Sequence, residues 1–168
     1  MLREIIVTAD GTLTAGRRRL RCSLGSAGVT RATREGDGAT PAGVFAMRRL
    51  LWRHDRHPAV VTSLPASAIA RDDGWCDAPD DPNYNRPVTL PYPTSAETMW
   101  RDDPLYDFVV VLGHNDAPVT AGAGSAVFLH VAAPDYGPTA GCVALAFDDL
   151  VSVLPDLSPA TRLIVLAA

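Results

Sequence analysis

The sequence lacks any long unbroken apolar segment, so no part of it is expected to cross a lipid bilayer as a helix. Its first residues, MLREIIVTADGT, have no basic region followed by an apolar core, and no signal peptide is therefore visible. The net charge is −4 and no face dominated by arginine or lysine is indicated, which argues against nucleic acid as a partner.

The sequence also lacks the common motifs of metal, phosphate and serine-hydrolase sites. It has no CxxC pair and no HExxH helix, so its histidines and cysteines have weak spacing for zinc. There is no G-x-S-x-G elbow. The glycine-rich segment 122–125 is not followed by the lysine of a phosphate loop. We therefore expect neither a metal nor a cofactor.

Cysteine is scarce, with only Cys22, Cys76 and Cys142 in the chain. Three cysteines permit at most one disulfide. If Cys142 is catalytic, the only structural pairing left is Cys22 with Cys76, and we expect both to be reduced and packed instead.

What the chain does contain fits one globular domain over residues 1–168, because 47% hydrophobic residues can bury a sizeable core. Short alternating or β-branched runs bounded by turns predict a mainly β fold. Strands are expected at 4–9 and 17–22, forming an amino-terminal hairpin about Asp10 and Gly11, and at 44–52, 108–112, 126–131 and 161–166.

Two further segments are predicted from composition. Residues 53–104 are rich in Pro, Asp, Asn and Ser, which indicates a long irregular insertion with short strands at 59–62 and 88–90. Residues 147–154 are typical of a short helix, because acidic residues lie near its amino end and Pro155 ends it.

The segment HVAAPDYGPTAGCVAL places His130 twelve positions before Cys142. Cysteine is a strong nucleophile only as the thiolate, and a nearby imidazole is the commonest base for it. Gly141 removes side-chain bulk beside the sulfur and could direct a free N–H at a developing oxyanion. The pair therefore predicts a thiol acyl-transfer site, although a buried cysteine and a hydrogen-bonded histidine are also common in protein cores.

This segment resembles the active-site motif of the L,D-transpeptidase catalytic domain, the YkuD family, in which a histidine precedes a Ser/Thr-X-Gly-Cys-hydrophobic signature. The matching residues are His130, Thr139, Gly141, Cys142 and Val143. A second stretch, residues 34–45, is similar to the Thr-Pro-X-Gly-X-Phe element of the same family. The sequence departs from the family pattern at Ala140 and Ala144, and the loop between His130 and Thr139 is short, which resembles a divergent branch.

The resemblance implies a β-sandwich of mixed sheets with one or two short helices. It also implies a mechanism in which His130 takes the proton of Cys142, the thiolate attacks a peptidoglycan stem peptide, and the N–H groups of Gly141 and Cys142 stabilise the oxyanion. An amine then resolves the thioester as a 3→3 crosslink, or exchanges the terminal D-amino acid. Hydrolysis by an L,D-carboxypeptidase and a catalytically silent module that binds cell-wall peptides are the alternatives.

Several residues are candidates for substrate contacts. Thr139 belongs to the motif, and Arg34 can make two parallel hydrogen bonds to a carboxylate. His114 follows a strand and either lines the cleft or bonds to backbone. Asn85 and Arg86 lie in a segment that either holds a peptide carboxylate or forms a polar loop.

The family resemblance implies a location in the periplasm or cell wall, which conflicts with the absence of a visible signal peptide. Unconventional export, a misassigned start and an intracellular substrate are all compatible with the sequence.

Overall fold

Strands dominate the fold because apolar and polar residues alternate along many of its segments. The computed structural model describes residues 1–168 and contains fourteen strands, one α-helix and one 3₁₀-helix. This confirms the predicted mainly β fold with one or two short helices. The helices are α1 (Phe147–Val153) and the 3₁₀-helix Leu154–Asp156. The strands are β1 (Glu4–Thr8), β2 (Thr12–Ala15), β3 (Arg18–Ser23), β4 (Val29–Thr30), β5 (Thr40–Pro41), β6 (Gly43–Trp52), β7 (Ala66–Ala68), β8 (Asp73–Cys76), β9 (Pro87–Thr89), β10 (Ala96–Thr98), β11 (Phe108–Leu112), β12 (Phe128–Val131), β13 (Val143–Leu145) and β14 (Arg162–Val165).

The main sheet folds into two layers that share the strands β3 and β6. The first layer consists of β3, β2, β1, β14 and the first half of β6, in that order. The second consists of the end of β3, then β13, β12, β11, the second half of β6, and β7. In each layer one or more parallel pairs lie among antiparallel ones, so the architecture is the expected sandwich of mixed sheets.

A hydrophobic core of 22 buried residues lies between the layers. Successive side chains of a strand point to opposite faces, so β11 and β12 each have an inner and an outer face. The inner face contributes Phe108, Val110, Leu112, Leu129 and Val131 to this core. The outer face carries Val109, Val111 and Phe128, which pack in a second cluster with Trp75, Met99 and Tyr106. The outer face of the second layer is therefore also covered by protein.

The segment 53–104 is more ordered than its composition predicts. The strands β10, β8 and β9 form a separate antiparallel sheet in that order, and Trp75 and Met99 from this part of the chain cover the second layer. The strand expected at 88–90 corresponds to β9. The strand expected at 59–62 is wrong, because no strand pairs with this stretch and Val61 is 81% exposed.

The amino-terminal hairpin is one turn longer than predicted. The chain turns at Gly11 between β1 and β2 and again at Gly16 between β2 and β3, and both glycines have positive φ, 79° and 62°. The other expected strands correspond to β6, β11, β12 and β14, and the expected helix to α1. None of the helices is both long enough and apolar enough to cross a membrane.

Candidate active site

A cavity of about 430 Å³ opens on the outer face of the second layer. Cys142 and His130 both line it, together with residues of the 33–41, 97–106 and 124–127 segments. Strand register explains why the two side chains meet there. His130 pairs with Ala144 across the parallel strands β12 and β13, and Cys142 lies two residues before Ala144 on the same face. The cavity therefore brings the two predicted reactive residues together.

The turn that carries Cys142 is held by Thr139. Its Oγ1 donates to the Cys142 carbonyl oxygen at 2.7 Å and accepts the Gly141 N–H at 3.1 Å. The Thr139 backbone is itself bonded to Leu24 and Ser26. Thr139 was predicted to contact substrate, and although it lines the cavity, its hydroxyl is used to fold the turn.

Position 141 requires glycine because a side chain would not fit there, and not because its N–H is free. Its φ is +140°, and a Cβ built on it would lie 2.8 Å from the Ala39 carbonyl oxygen. The expectation that its N–H points at an oxyanion is corrected by the bond to Thr139 Oγ1, which occupies that donor. The Cys142 N–H, in contrast, has no acceptor within the protein.

The Cys142 sulfur has two hydrogen-bond partners. It donates to the Ala126 carbonyl oxygen at 3.2 Å and accepts the Phe128 N–H at 3.4 Å. Burial raises the pKa of the thiol to about 12, the negative charge of Glu97 acts in the same direction, and the Phe128 N–H opposes both. In the resting protein Cys142 is therefore a protonated thiol.

His130 is held by the backbone of its own strand. Its Nδ1 lies 2.8 Å from the Val131 carbonyl oxygen, and because a carbonyl only accepts, Nδ1 carries the proton. The Tyr106 ring packs edge-on against the imidazole, with 5.2 Å between ring centroids. Burial lowers the pKa of His130 to about 4, against the effect of the Val131 hydrogen bond. The imidazole is thus neutral, and its Nε2 has a free lone pair.

The resting thiol and imidazole are not hydrogen-bonded to each other. Each is neutral and each bonds to backbone, so the thiol must turn from Ala126 towards Nε2 before its proton can be transferred. The arrangement is suited to a base that acts during attack, and not to a preformed thiolate–imidazolium pair.

Three cavity residues were not found from the sequence. Glu97 accepts a hydrogen bond from the Tyr106 hydroxyl, and burial raises the pKa of Glu97 despite the opposing effects of Tyr106 and Arg101. Glu35 accepts the hydroxyls of Tyr84 and Ser125. Glu97 and Tyr106 belong to no recognisable motif, whereas Glu35 lies beside Arg34 in a segment that the sequence had already singled out.

Two of the predicted substrate contacts do line the cavity. Arg34 is exposed at its edge, and its guanidinium has no hydrogen bond or ion pair. His114 faces the cavity as well, but its Nε2 lies 3.2 Å from the Ala123 carbonyl oxygen and its ring packs edge-on against Phe45. Burial lowers the pKa of His114. The His114 side chain thus both lines the cavity and bonds to the backbone, the two alternatives that the sequence left open.

The other two predicted contacts lie elsewhere. Asn85 and Arg86 are absent from the cavity wall, so the structure does not bring them together with Cys142 and His130. Asn85 is buried, and its amide bonds only to protein groups. The Arg86 guanidinium donates to the carbonyl oxygens of Asp116 and Asn85. The polar composition of this loop indicated a binding role, but in the folded protein these polar groups form hydrogen bonds with other protein groups.

All three cysteines are free and buried. No group of three or more His, Cys, Asp and Glu side chains is arranged to hold a metal ion.

Comparison with known proteins gives a match to one family model, described as the L,D-transpeptidase catalytic domain (YkuD), over residues 3–165. A search of curated proteins found no match.

Comparison with solved structures also gives matches. An L,D-transpeptidase from Mycobacterium smegmatis is 16% identical with a TM-score of 0.47, and the alignment covers 98% of this chain and 58% of that one. L,D-transpeptidase 1 from Mycobacterium tuberculosis is 13% identical with a TM-score of 0.45, at 98% and 58% coverage. L,D-transpeptidase 3 from the same organism, in complex with a faropenem-derived adduct, is 13% identical with a TM-score of 0.44, at 98% and 60% coverage. This chain thus spans less than two thirds of the length of these structures.

Proposed function

Because the chain belongs to the YkuD family of L,D-transpeptidase catalytic domains, we propose that it acts on peptidoglycan stem peptides as a cysteine-dependent L,D-transpeptidase. It makes 3→3 crosslinks, or exchanges the terminal D-amino acid, through a thioester on Cys142. The observation that carries this proposal is the convergence of Cys142 and the free Nε2 of neutral His130 on one cavity. The volume of about 430 Å³ is in the range of sites that enclose small ligands.

In the first half-reaction, a tetrapeptide stem presents the carbonyl next to its terminal D-amino acid to the sulfur. The Cys142 proton passes to His130 Nε2 as the sulfur–carbon bond forms. The Cys142 N–H, which has no acceptor in the resting protein, donates to the developing oxyanion. The carbon–nitrogen bond then breaks, the imidazolium returns its proton to the leaving amine, and a thioester remains.

In the second half-reaction, the acceptor amine of another stem attacks the thioester. His130 takes the proton of that amine and returns one to the departing Cys142 sulfur, so the enzyme regains its thiol. If water takes the place of the amine, the same residues give the carboxypeptidase outcome.

Burial suits this sequence of steps. In a site of low dielectric, charge separation between sulfur and imidazole is unfavourable until a carbonyl accepts the electron pair. The raised thiol pKa and the lowered imidazole pKa, about 12 and about 4, both follow from that burial. The nucleophile is therefore activated when substrate is present and stays inert when it is not.

The experiment that tests the function is intact-protein mass spectrometry after incubation with a carbapenem and, separately, with a disaccharide-free tetrapeptide stem. We expect a covalent adduct with each, because the strained lactam carbonyl and the stem carbonyl are both attacked by a reactive thiol. With the stem, the released D-amino acid and the final product distinguish transfer from hydrolysis.

Two variants are the controls. Cys142→Ala should form no adduct while keeping the circular dichroism spectrum of the parent. Cys76→Ala, which removes another buried thiol outside the cavity, should form the adduct normally. Absence of any adduct in folded parent protein would favour the silent binding module, which the small side chains Ala140 and Ala144 in the cavity wall also suit.

A further inference from the structure

Left-handed backbone conformations cluster around one buried amide. Four residues other than glycine have positive φ in this protein, and three of them, Asn85, Asn115 and Ala126, have values of 57°, 47° and 52°. Such conformations are unfavourable for residues with a Cβ, and they persist only where surrounding contacts fix them. Ala126 is the least expected of the three, because its side chain has no polar atom with which to compensate.

The Asn85 amide bonds to all three segments that meet at this point. Its Oδ1 accepts the Trp75 Nε1–H at 3.0 Å and the Ala126 N–H at 3.1 Å. Its Nδ2 donates to the carbonyl oxygens of His114 and Asn115, at 3.0 Å and 2.8 Å. Both donors and both lone pairs of the amide are thus used, and the side chain is only 4% exposed.

Ala126 connects this amide to the reactive sulfur. Its N–H bonds to Asn85 Oδ1, and its carbonyl oxygen accepts the Cys142 Sγ–H. Two residues further on, the Phe128 N–H donates to the same sulfur. Asn85 is therefore separated from the nucleophile by one residue and two hydrogen bonds, although it lies outside the cavity.

We propose that Asn85 is a positioning residue for the Cys142 thiol, acting through the backbone of Ala126. By fixing Ala126 in its left-handed conformation, the amide aims the Ala126 carbonyl at the sulfur and keeps the thiol protonated and in one orientation. This deepens the proposed function, on which its catalytic meaning rests, and it replaces the substrate contact that the sequence predicted for Asn85.

If Asn85 positions the thiol in this way, its loss should raise the rate of Cys142 alkylation and lower the rate of Cys142 acylation. Without the Asn85 amide the Ala126 carbonyl is no longer fixed against the thiol whose protonated form it favours, so a small alkylating reagent should react faster at a given pH. The Ala126–Phe128 backbone, whose carbonyl and N–H both bond to the sulfur, is also less firmly held, so the position of the sulfur relative to an enclosed carbonyl varies and acylation by a carbapenem should slow. Simple loosening of the fold would not separate the two rates in this way.

The variant of choice is Asn85→Gly, because glycine adopts φ of 57° without strain and the change isolates loss of the amide. Iodoacetamide labelling at about pH 8.5, followed by mapping of the peptide that contains Cys142, measures the reactivity of this thiol, so the other two cysteines need not be mutated. We expect labelling about threefold faster, corresponding to about half a pH unit, and carbapenem acylation about tenfold slower.

Trp75→Phe is the matched control, because it removes the other N–H on Oδ1 and leaves the Ala126 bond in place. Both of its rates should stay within about twofold of the parent. A folded Asn85→Gly protein with parental labelling and acylation rates would overturn the proposal. If Asn85→Gly does not fold, Asn85→Ser takes its place, since serine also lacks the amide, and parental labelling and acylation rates in folded Asn85→Ser would equally overturn the proposal.

Failure of this proposal is distinguishable from failure of the proposed function. The labelling assay requires no knowledge of the substrate, so it tests the link from Asn85 to the sulfur even if the parent forms no carbapenem adduct.

Discussion

The regions around Cys22 and Cys142 bury their thiols almost equally, with 5% and 8% exposure, and burial raises the pKa of both to about 12. Their surroundings differ. Cys22 packs in the core between the layers, and its sulfur has no hydrogen bond. Cys142 bonds to Ala126 and Phe128 and faces a cavity that it shares with His130. Acidity therefore does not distinguish the two thiols, whereas access and a neighbouring base do.

Under the proposed function, this comparison explains how a weakly acidic thiol could act as a nucleophile. An unassisted thiol with a pKa near 12 is almost entirely protonated at neutral pH. In the proposed mechanism, a neutral imidazole in the same cavity removes the need for a standing thiolate, because it would take the proton only as the new bond forms. Cys22 has no such base in its apolar surroundings, so equal burial leaves it inert.

The largest expected difference in turnover is between two single variants, in which either Cys142 or Cys22 is replaced by alanine. Cys142→Ala should lower the rate of stem-peptide turnover by about a thousandfold or more with little change in melting temperature. Cys22→Ala should keep turnover within about twofold but destabilise the protein by about 1 kcal/mol, because it leaves space in the core. Turnover assays beside thermal unfolding measure both, and a Cys22 variant that lost turnover while folded would break the comparison.

An intermediate effect is expected at Thr139, which organises the turn of Cys142 and has no counterpart at Cys22. Thr139→Ala removes the hydroxyl that bonds to Gly141 and Cys142, so carbapenem acylation should slow by about tenfold and stability should fall by about 1–2 kcal/mol. Thr139→Ser restores the hydroxyl and should recover most of both. If serine and alanine behaved alike, the hydroxyl would not be what holds the turn.

The smallest expected effect is that of pH on the rate of acylation of Cys142. Because the pKa of His130 is about 4 and that of Cys142 about 12, the imidazole stays neutral and the thiol protonated through the neutral range. Acylation should therefore change by less than about twofold between pH 6 and pH 9, and fall only as acid protonates His130 near its pKa. A rate profile over pH 4 to 9 with buffers of constant ionic strength measures this. A steep rise centred near pH 7 would indicate a preformed ion pair in place of the neutral one.

The sequence pattern predicted those strands whose formation is favoured by their own residues. The strands around residues 44–52 and 108–112 were expected, because apolar runs bounded by turns have few other stable outcomes. The short strands β7, β8 and β10 were not, because each has only three or four residues and forms by pairing with distant partners. Val60 and Val61 show the reverse case, since β-branched residues without a partner strand form no sheet.

The candidate site divides in the same way. His130 and Cys142 lie in one short motif, and their meeting in the cavity could be inferred from the loop between them. Glu97 and Tyr106 are distant in sequence from that motif, and they line the cavity because the 53–104 segment and the residues before β11 pack against the second layer. The bonds of Asn85 could not be predicted either, because a polar side chain in a polar loop gives no sign of whether folding will bury it.

The pairing of β1 with β14 has a consequence for how the protein is made. These strands lie side by side in the middle of the first layer, with Ile5 opposite Leu163 and Val7 opposite Val165. A ribosome synthesises β1 early and β14 late, so the nascent chain holds an open layer until its final strand has emerged. Contacts this distant in sequence also slow folding. We therefore expect the core beneath the cavity of Cys142 and His130 to close only after β14 has been synthesised.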